Sequence, residues 1–168
     1  MRCKKHITTV VTAILSITML AGLLTACTGG AGENQAFAYL TIAQELIPFE
    51  YIEDEETDVP RFFIINLSEA KIEDKDAVYN LIAAHVKVVG AEVARGDELT
   101  FNEITNLDTE DDNPTMLTFR DEKLTRTKLV TTLAVSWPRR FEGYGTKYTI
   151  KNESGTWKIT ASEPTQIS

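Results

Sequence analysis

Side chains able to do chemistry are scarce in this chain of 168 residues, which carries two Cys, two His and 25 acids against 17 bases. Both cysteines, Cys3 and Cys27, and one histidine, His6, fall in the first 27 residues. Beyond them there is no thiol, so a disulfide, a cysteine-based zinc site and a cysteine nucleophile are excluded there. A Ser-His-Asp triad would have to use His85, and no G-x-S-x-G turn accompanies any serine. His85 itself lies in the apolar stripe Val78, Leu81, Ile82, His85 and Val89, where a packed imidazole is expected rather than a catalytic one.

The acids are numerous but unpatterned. Residues 50 to 58 hold six of them, Glu50, Glu53, Asp54, Glu55, Glu56 and Asp58, and read as a solvated loop closed by Pro60. Asp108, Glu110 and Asp112 occupy positions one, three and five of an EF-hand spacing, which then fails at position six with Asn113 and at twelve with Phe119. Neither run is read as a calcium site, and no metal or cofactor is expected. Glu92, Asp97, Glu98 and Glu103 could serve carboxylate chemistry, yet no spacing selects a pair. Arg95-Gly96-Asp97 is an integrin-type tripeptide, and its Gly-Asp equally suits a turn before a strand at Leu99-Thr100-Phe101.

One segment concentrates the residue types that make binding hot spots: Trp137-Pro138-Arg139-Arg140-Phe141-Glu142-Gly143-Tyr144. Arginine and aromatic side chains bury large areas with few rotors. By strand parity Trp137 and Tyr144 belong to the dry face of a sheet, which leaves Arg139, Arg140 and Phe141 as the exposed binding loop.

The charge is divided along the chain. Residues 1 to 26 carry Arg2, Lys4 and Lys5 and no acid, so the other 142 residues hold 14 bases against 25 acids, a charge of -11. Such a domain has no general affinity for nucleic acid, which depends on a surplus of bases. The first segment has a basic start, an apolar run from Ile7 to Leu24, and the ending Leu24-Thr25-Ala26-Cys27. That ending resembles the lipobox of bacterial lipoprotein precursors, in which the signal is cut before the Cys and the Cys receives a diacylglyceryl thioether. The resemblance covers about the first 35 residues. It implies a signal peptide over 1–26, lipidation of Cys27, a flexible Gly-rich tether over 27–36, and a single extracytoplasmic domain over 37–168 held at the cell membrane. Two or three acyl chains make such an anchor effectively permanent, because each buried methylene contributes about 0.8 kcal/mol.

The elements that must position these residues follow from apolar spacing. Between residues 37 and 50, Phe37, Leu40, Ala43 and Ile47 have near-helical spacing while Ala38, Leu40 and Ile42 alternate, and the segment is read as a strand. Phe62 to Leu67 is a short continuous apolar run, hence an interior strand. Asp74 caps a helix that runs to about Lys87, and Gly90 breaks the chain's course just beyond it. Leu129 to Trp137, Tyr144 to Ile150 and Trp157-Ile159-Ala161 alternate strictly, with Asn152-Glu153-Ser154-Gly155 as a tight turn. Leu117 and Phe119 add a fourth strand. The sum is an α+β domain, an antiparallel β-meander packed against one or two helices, in an order that loosely resembles cystatin-like and NTF2-like folds. The expected role is a non-catalytic, lipid-anchored cell-surface module that binds an envelope or extracellular protein or peptide. The alternative is a small pocket enzyme or ligand carrier that uses carboxylates. A filled interior favours the first, and an aromatic-lined cavity beside a buried acid favours the second.

Overall fold

A computed structural model describes residues 31–47, 62–106, 114–138, 140 and 142–166. Its elements are α1 (Ala31–Leu46), β1 (Phe62–Asn66), α2 (Lys75–Val88), β2 (Glu92–Arg95), α3 (Phe101–Thr105), β3 (Thr115–Leu124), β4 (Lys128–Trp137), β5 (Glu142–Glu153) and β6 (Thr156–Thr165). The class is α+β, as the sequence implies. Among the described residues no helix is long and apolar enough to cross a membrane.

The strands form one sheet in the order β2-β1-β3-β4-β5-β6. The meander expected at the C-terminus is present, with β3, β4, β5 and β6 antiparallel in turn. On its other flank the sheet is parallel: β1 pairs with both β2 and β3, and α2 supplies the crossover from β1 to β2. β1 lies between two neighbours, and Phe63, Ile64 and Ile65 are all buried, so both of its faces are covered and its sequence shows no alternation.

The segment read as a strand after residue 37 is helical. Ala36, Tyr39, Ala43 and Ile47 form one buried stripe, with Ala38 and Ile42 beside it. Ala38 and Ile42 are four residues apart, an interval that belongs both to one face of a strand and to one face of a helix, so alternation over so short a run could not decide. The helix begins at Ala31, and Asn34 already bonds to the sheet. Its buried face meets Val78, Ile82 and Val86 of α2 and the sheet residues Phe119, Leu129, Leu133, Ile150 and Trp157 in one continuous core.

Local signals end the elements cleanly. The Asp74 side chain accepts from the Ala77 N–H at 2.9 Å and caps α2 as expected. At the other end Gly90, with φ of 77°, allows the Gly90 N–H to reach the Lys87 carbonyl and the Ala91 N–H to reach that of Val86, the paired bonds of a Schellman motif. Ser154 and Gly155 both have positive φ, 54° and 91°, and make the two-residue turn between β5 and β6.

Two further expectations change. Thr100 does not continue a strand from Leu99: it caps α3 in a reciprocal capping box with Glu103, since its hydroxyl accepts from the Glu103 N–H while the Glu103 carboxylate accepts from the Thr100 N–H. Ala161 does not share a face with Trp157 and Ile159. Ile150 pairs with Ile159 and Thr149 with Ala161, so Thr160 is an extra residue and every side chain after it changes face.

Candidate functional site

The hairpin turn after β4 was the sequence's candidate for binding, and the structure describes its frame. Trp137 pairs with Glu142, and Val135 with Tyr144. Both Trp137 and Tyr144 lie on the helix-bearing face, as parity requires, with ring centroids 6.0 Å apart and planes inclined at 50°. The dry face nevertheless ends here. Trp137 is half-buried against the core, whereas Tyr144 is 46% exposed, a rare state for a large apolar ring among the described residues. The sequence therefore placed Tyr144 on the right face and misjudged its cover, because parity says which side of a sheet a residue occupies but not how far a helix extends above it. Arg140 is exposed and its N–H bonds to the Trp137 carbonyl at 2.9 Å. Arg139, Phe141 and Cys27 lie outside the described residues.

Gly143 explains how β5 reaches the turn. A Cβ there would stand 2.6 Å from the Val135 carbonyl oxygen and 3.0 Å from Ser136 Cβ, so only glycine lets the two strands approach while Tyr144 projects from the other face.

The remaining sequence candidates are taken up in structure. Arg95 and Asp97 do not form a displayed recognition tripeptide. The Arg95 Nε lies 3.2 Å from both oxygens of Asp97, whose side chain is only 11% exposed. Asp76 also pairs with Arg95, Glu98 lies 3.4 Å away, and the guanidinium sits over the Tyr79 ring at 5.7 Å. Hydrogen bonds to Asp97 first, and then to Asp76, raise the arginine's pKa further. Glu103 is held below its ordinary pKa by the bonds from Thr100 that make the capping box. Glu92 is exposed at the start of the edge strand β2. Asp97 and Glu98 converge on the Arg95 Nε, at 3.2 and 3.4 Å, and are held there by the guanidinium. The acidic runs over 50–58 and 108–112 lie outside the described residues, and no cluster of metal-ligating side chains occurs among the described ones.

His85 is buried, with its Nε2–H donating to the Ile47 carbonyl at 2.7 Å, so it ties α2 to the end of α1. Burial lowers its pKa and keeps it neutral.

Sequence reasoning missed a buried polar centre. The Tyr39 hydroxyl donates to Asp121 Oδ2, which also accepts the Lys71 N–H at 2.8 Å, while the Asp121 N–H reaches the Glu69 carbonyl at 3.3 Å. Burial, and then the neighbouring carboxylate, drive the Tyr39 pKa far above its ordinary value. Asp121 stands where β3 bulges, since Asp121 pairs with Thr131 and Lys123 with Val130, leaving Glu122 as the extra residue. A buried carboxylate at a bulge holds α1, the Leu67–Asp74 loop and β3 in one register. The only sequence signal was an acid on the core parity of a strand. Asp121 itself, with Glu69, Arg120, Glu122, Thr132, Thr165 and Gln166, lines an open depression of about 280 Å³ that has no aromatic wall.

Compared with protein-family models, with curated proteins and with solved structures, the chain finds no match.

Proposed function

We propose that this chain is a lipid-anchored module on the extracytoplasmic face of the cell membrane, which binds an envelope or extracellular protein or peptide through the turn that joins β4 to β5. The observation that carries the reading is the Trp137–Tyr144 pair, in which Tyr144 remains 46% exposed next to the exposed Arg140. An aromatic pair with an arginine offers a partner large apolar area, a guanidinium fork and little rotamer entropy to lose. The interior argues the same way: Tyr39, Phe119, Leu129 and Leu133 fill the space between helices and sheet, and the depression near Asp121 has a polar, open lining. Cys27, with Leu24-Thr25-Ala26 before it, is the attachment point.

Two arms test the proposal. A fatty-acid probe should label the wild-type chain and not Cys27→Ala, and equal labelling would remove the anchor. A photo-crosslinking residue at position 144 in cells should give a discrete adduct that Arg140→Glu weakens, whereas the same residue at the exposed Thr160 should give none. No adduct at 144, or the same adduct at both positions, would refute binding through this turn.

A further inference from the structure

The opposite end of the same sheet carries a charge arrangement that folding alone does not favour. Lys128 of β4 pairs in register with Lys151 of β5, and Lys151 with Lys158 of β6. Their neighbours Leu129, Ile150 and Ile159 belong to the core side, so the three lysines form one cross-strand row on the face away from the helices. Like charges directly opposite each other destabilise a sheet. The two hairpin ends that meet here, residues 123–128 and 151–158, hold Lys123, Arg126, Lys128, Lys151 and Lys158 with Glu153 as their one acid. Glu153 pairs with Lys158 at 3.3 Å, while Lys123, Arg126, Lys128 and Lys151 have no ion pair among the described residues. In a domain of charge -11 these five bases are a local reversal of sign.

The row's position in the fold indicates what covers it. Asn34, near the start of α1, accepts the Trp157 indole N–H on its backbone carbonyl at 2.5 Å and on its side chain at 3.1 Å, and the Asn152 amide at 3.2 Å, so the first helix begins at the same end of the sheet as Lys151 and Lys158, on its other face. Asn34 is only seven residues beyond Cys27, and seven residues span at most about 25 Å. An anchor at Cys27 therefore keeps this end of the domain near the bilayer. We infer that the row Lys128–Lys151–Lys158, with Lys123 and Arg126, rests on anionic phospholipid headgroups and orients the anchored domain with the Trp137–Tyr144 end pointing away from the membrane. The orientation rests on the reading of Cys27 as the lipidated residue. The affinity of the row for anionic lipid does not.

The charge is complementary and the surface is suited to the task. A bilayer containing anionic lipid attracts bases near its surface and loses that attraction within a Debye length. The repulsion within the row is relieved when negative headgroups lie across it.

The test uses the lipidated protein in vesicles of phosphatidylcholine alone or with phosphatidylglycerol, and follows amine labelling by mass spectrometry. Lys128, Lys151 and Lys158 should label several-fold more slowly on the anionic vesicles, with the difference lost at high salt, while the exposed Lys87 on α2 labels equally on both. Equal labelling of the row on both vesicles overturns the inference. The same row can be read without the acyl chains: Cys27→Ala should sediment several-fold more with anionic than with neutral vesicles, and each neutralised lysine should weaken that excess about fivefold. Lys128→Gln/Lys151→Gln/Lys158→Gln should then lose binding by more than tenfold while Lys75→Gln/Lys87→Gln keeps it. If the wild type proves to carry no lipid but sediments with anionic vesicles through the row, the anchor reading fails and the surface assignment stands. If the row is masked by raised protein concentration in the absence of vesicles, it belongs to a second copy and the inference fails.

Discussion

The two ends of the sheet are built from the same strands and have opposite characters. At one, β3 turns to β4 and β5 to β6 under the start of α1, and the exposed side chains are bases in register. At the other, β4 turns to β5, and the exposed side chains are Tyr144 and Arg140 beside Trp137. β4 runs ten residues from one end to the other, about 33 Å at 3.3 Å per residue. The difference teaches that a chain with few catalytic side chains can still have two chemically distinct ends, one basic and the other aromatic. The strands between the ends are fixed by the core and by the Tyr39–Asp121 centre.

Opposite characters on shared strands require that both ends belong to one cooperative unit. Phe119→Ala should therefore cost about 3–5 kcal/mol and shift a single unfolding transition seen by probes at either end. Two separate transitions would divide the sheet. Tyr39→Phe leaves Asp121 Oδ2 buried with only the Lys71 N–H, and should cost on the order of 1–3 kcal/mol in chemical denaturation. Gly143→Ala acts at one end only. It should cost about 1–3 kcal/mol and raise amide exchange around Tyr144 without changing it around Asn152.

Asn34→Ala acts at the other end: it keeps the backbone carbonyl that accepts the Trp157 indole N–H but removes the side-chain acceptor of the Asn152 amide, and should cost about 1 kcal/mol with faster exchange near Asn152. Lys151→Gln sits between two lysines, so it should leave stability unchanged or raise it by a few tenths of a kcal/mol in a thermal melt, whereas a clear loss would mean that the row is structurally favourable. His85 gives a smaller, pH-dependent effect. Its folded pKa is lowered, so the unfolded chain takes up the proton first as pH falls below about 6.5, and stability declines from there. His85→Leu should remove that part of the decline below about pH 6.5.

Much of the fold was legible because its signals are local. Alternation marked β4 and β5, Asp74 marked the start of α2, and Asn152-Glu153-Ser154-Gly155 marked a tight turn, which the structure narrows to Ser154 and Gly155. The readings that failed did so where the deciding contact is distant. Ala38 and Ile42 fit both periods, and only packing on the sheet made them helical. The bulge at Thr160 and that at Glu122 have no sequence signature, yet each reassigns the faces beyond it. Of the candidate turn, residue type and parity were readable. The exposure of Tyr144 depends on where α1 stops covering the sheet. The lysine row was invisible, because Lys128, Lys151 and Lys158 are brought side by side only by strand register.

Orientation is the property on which both proposed surfaces depend, with the basic end toward the bilayer and the aromatic end away from it. Spin labels placed singly at Ser154 and Arg140 of the lipidated protein, in anionic vesicles whose headgroups carry a chelated nickel ion, test it directly. Strong relaxation enhancement is expected at Ser154 and weak enhancement at Arg140. Equal enhancement at the two positions, or the reverse order, would contradict this orientation.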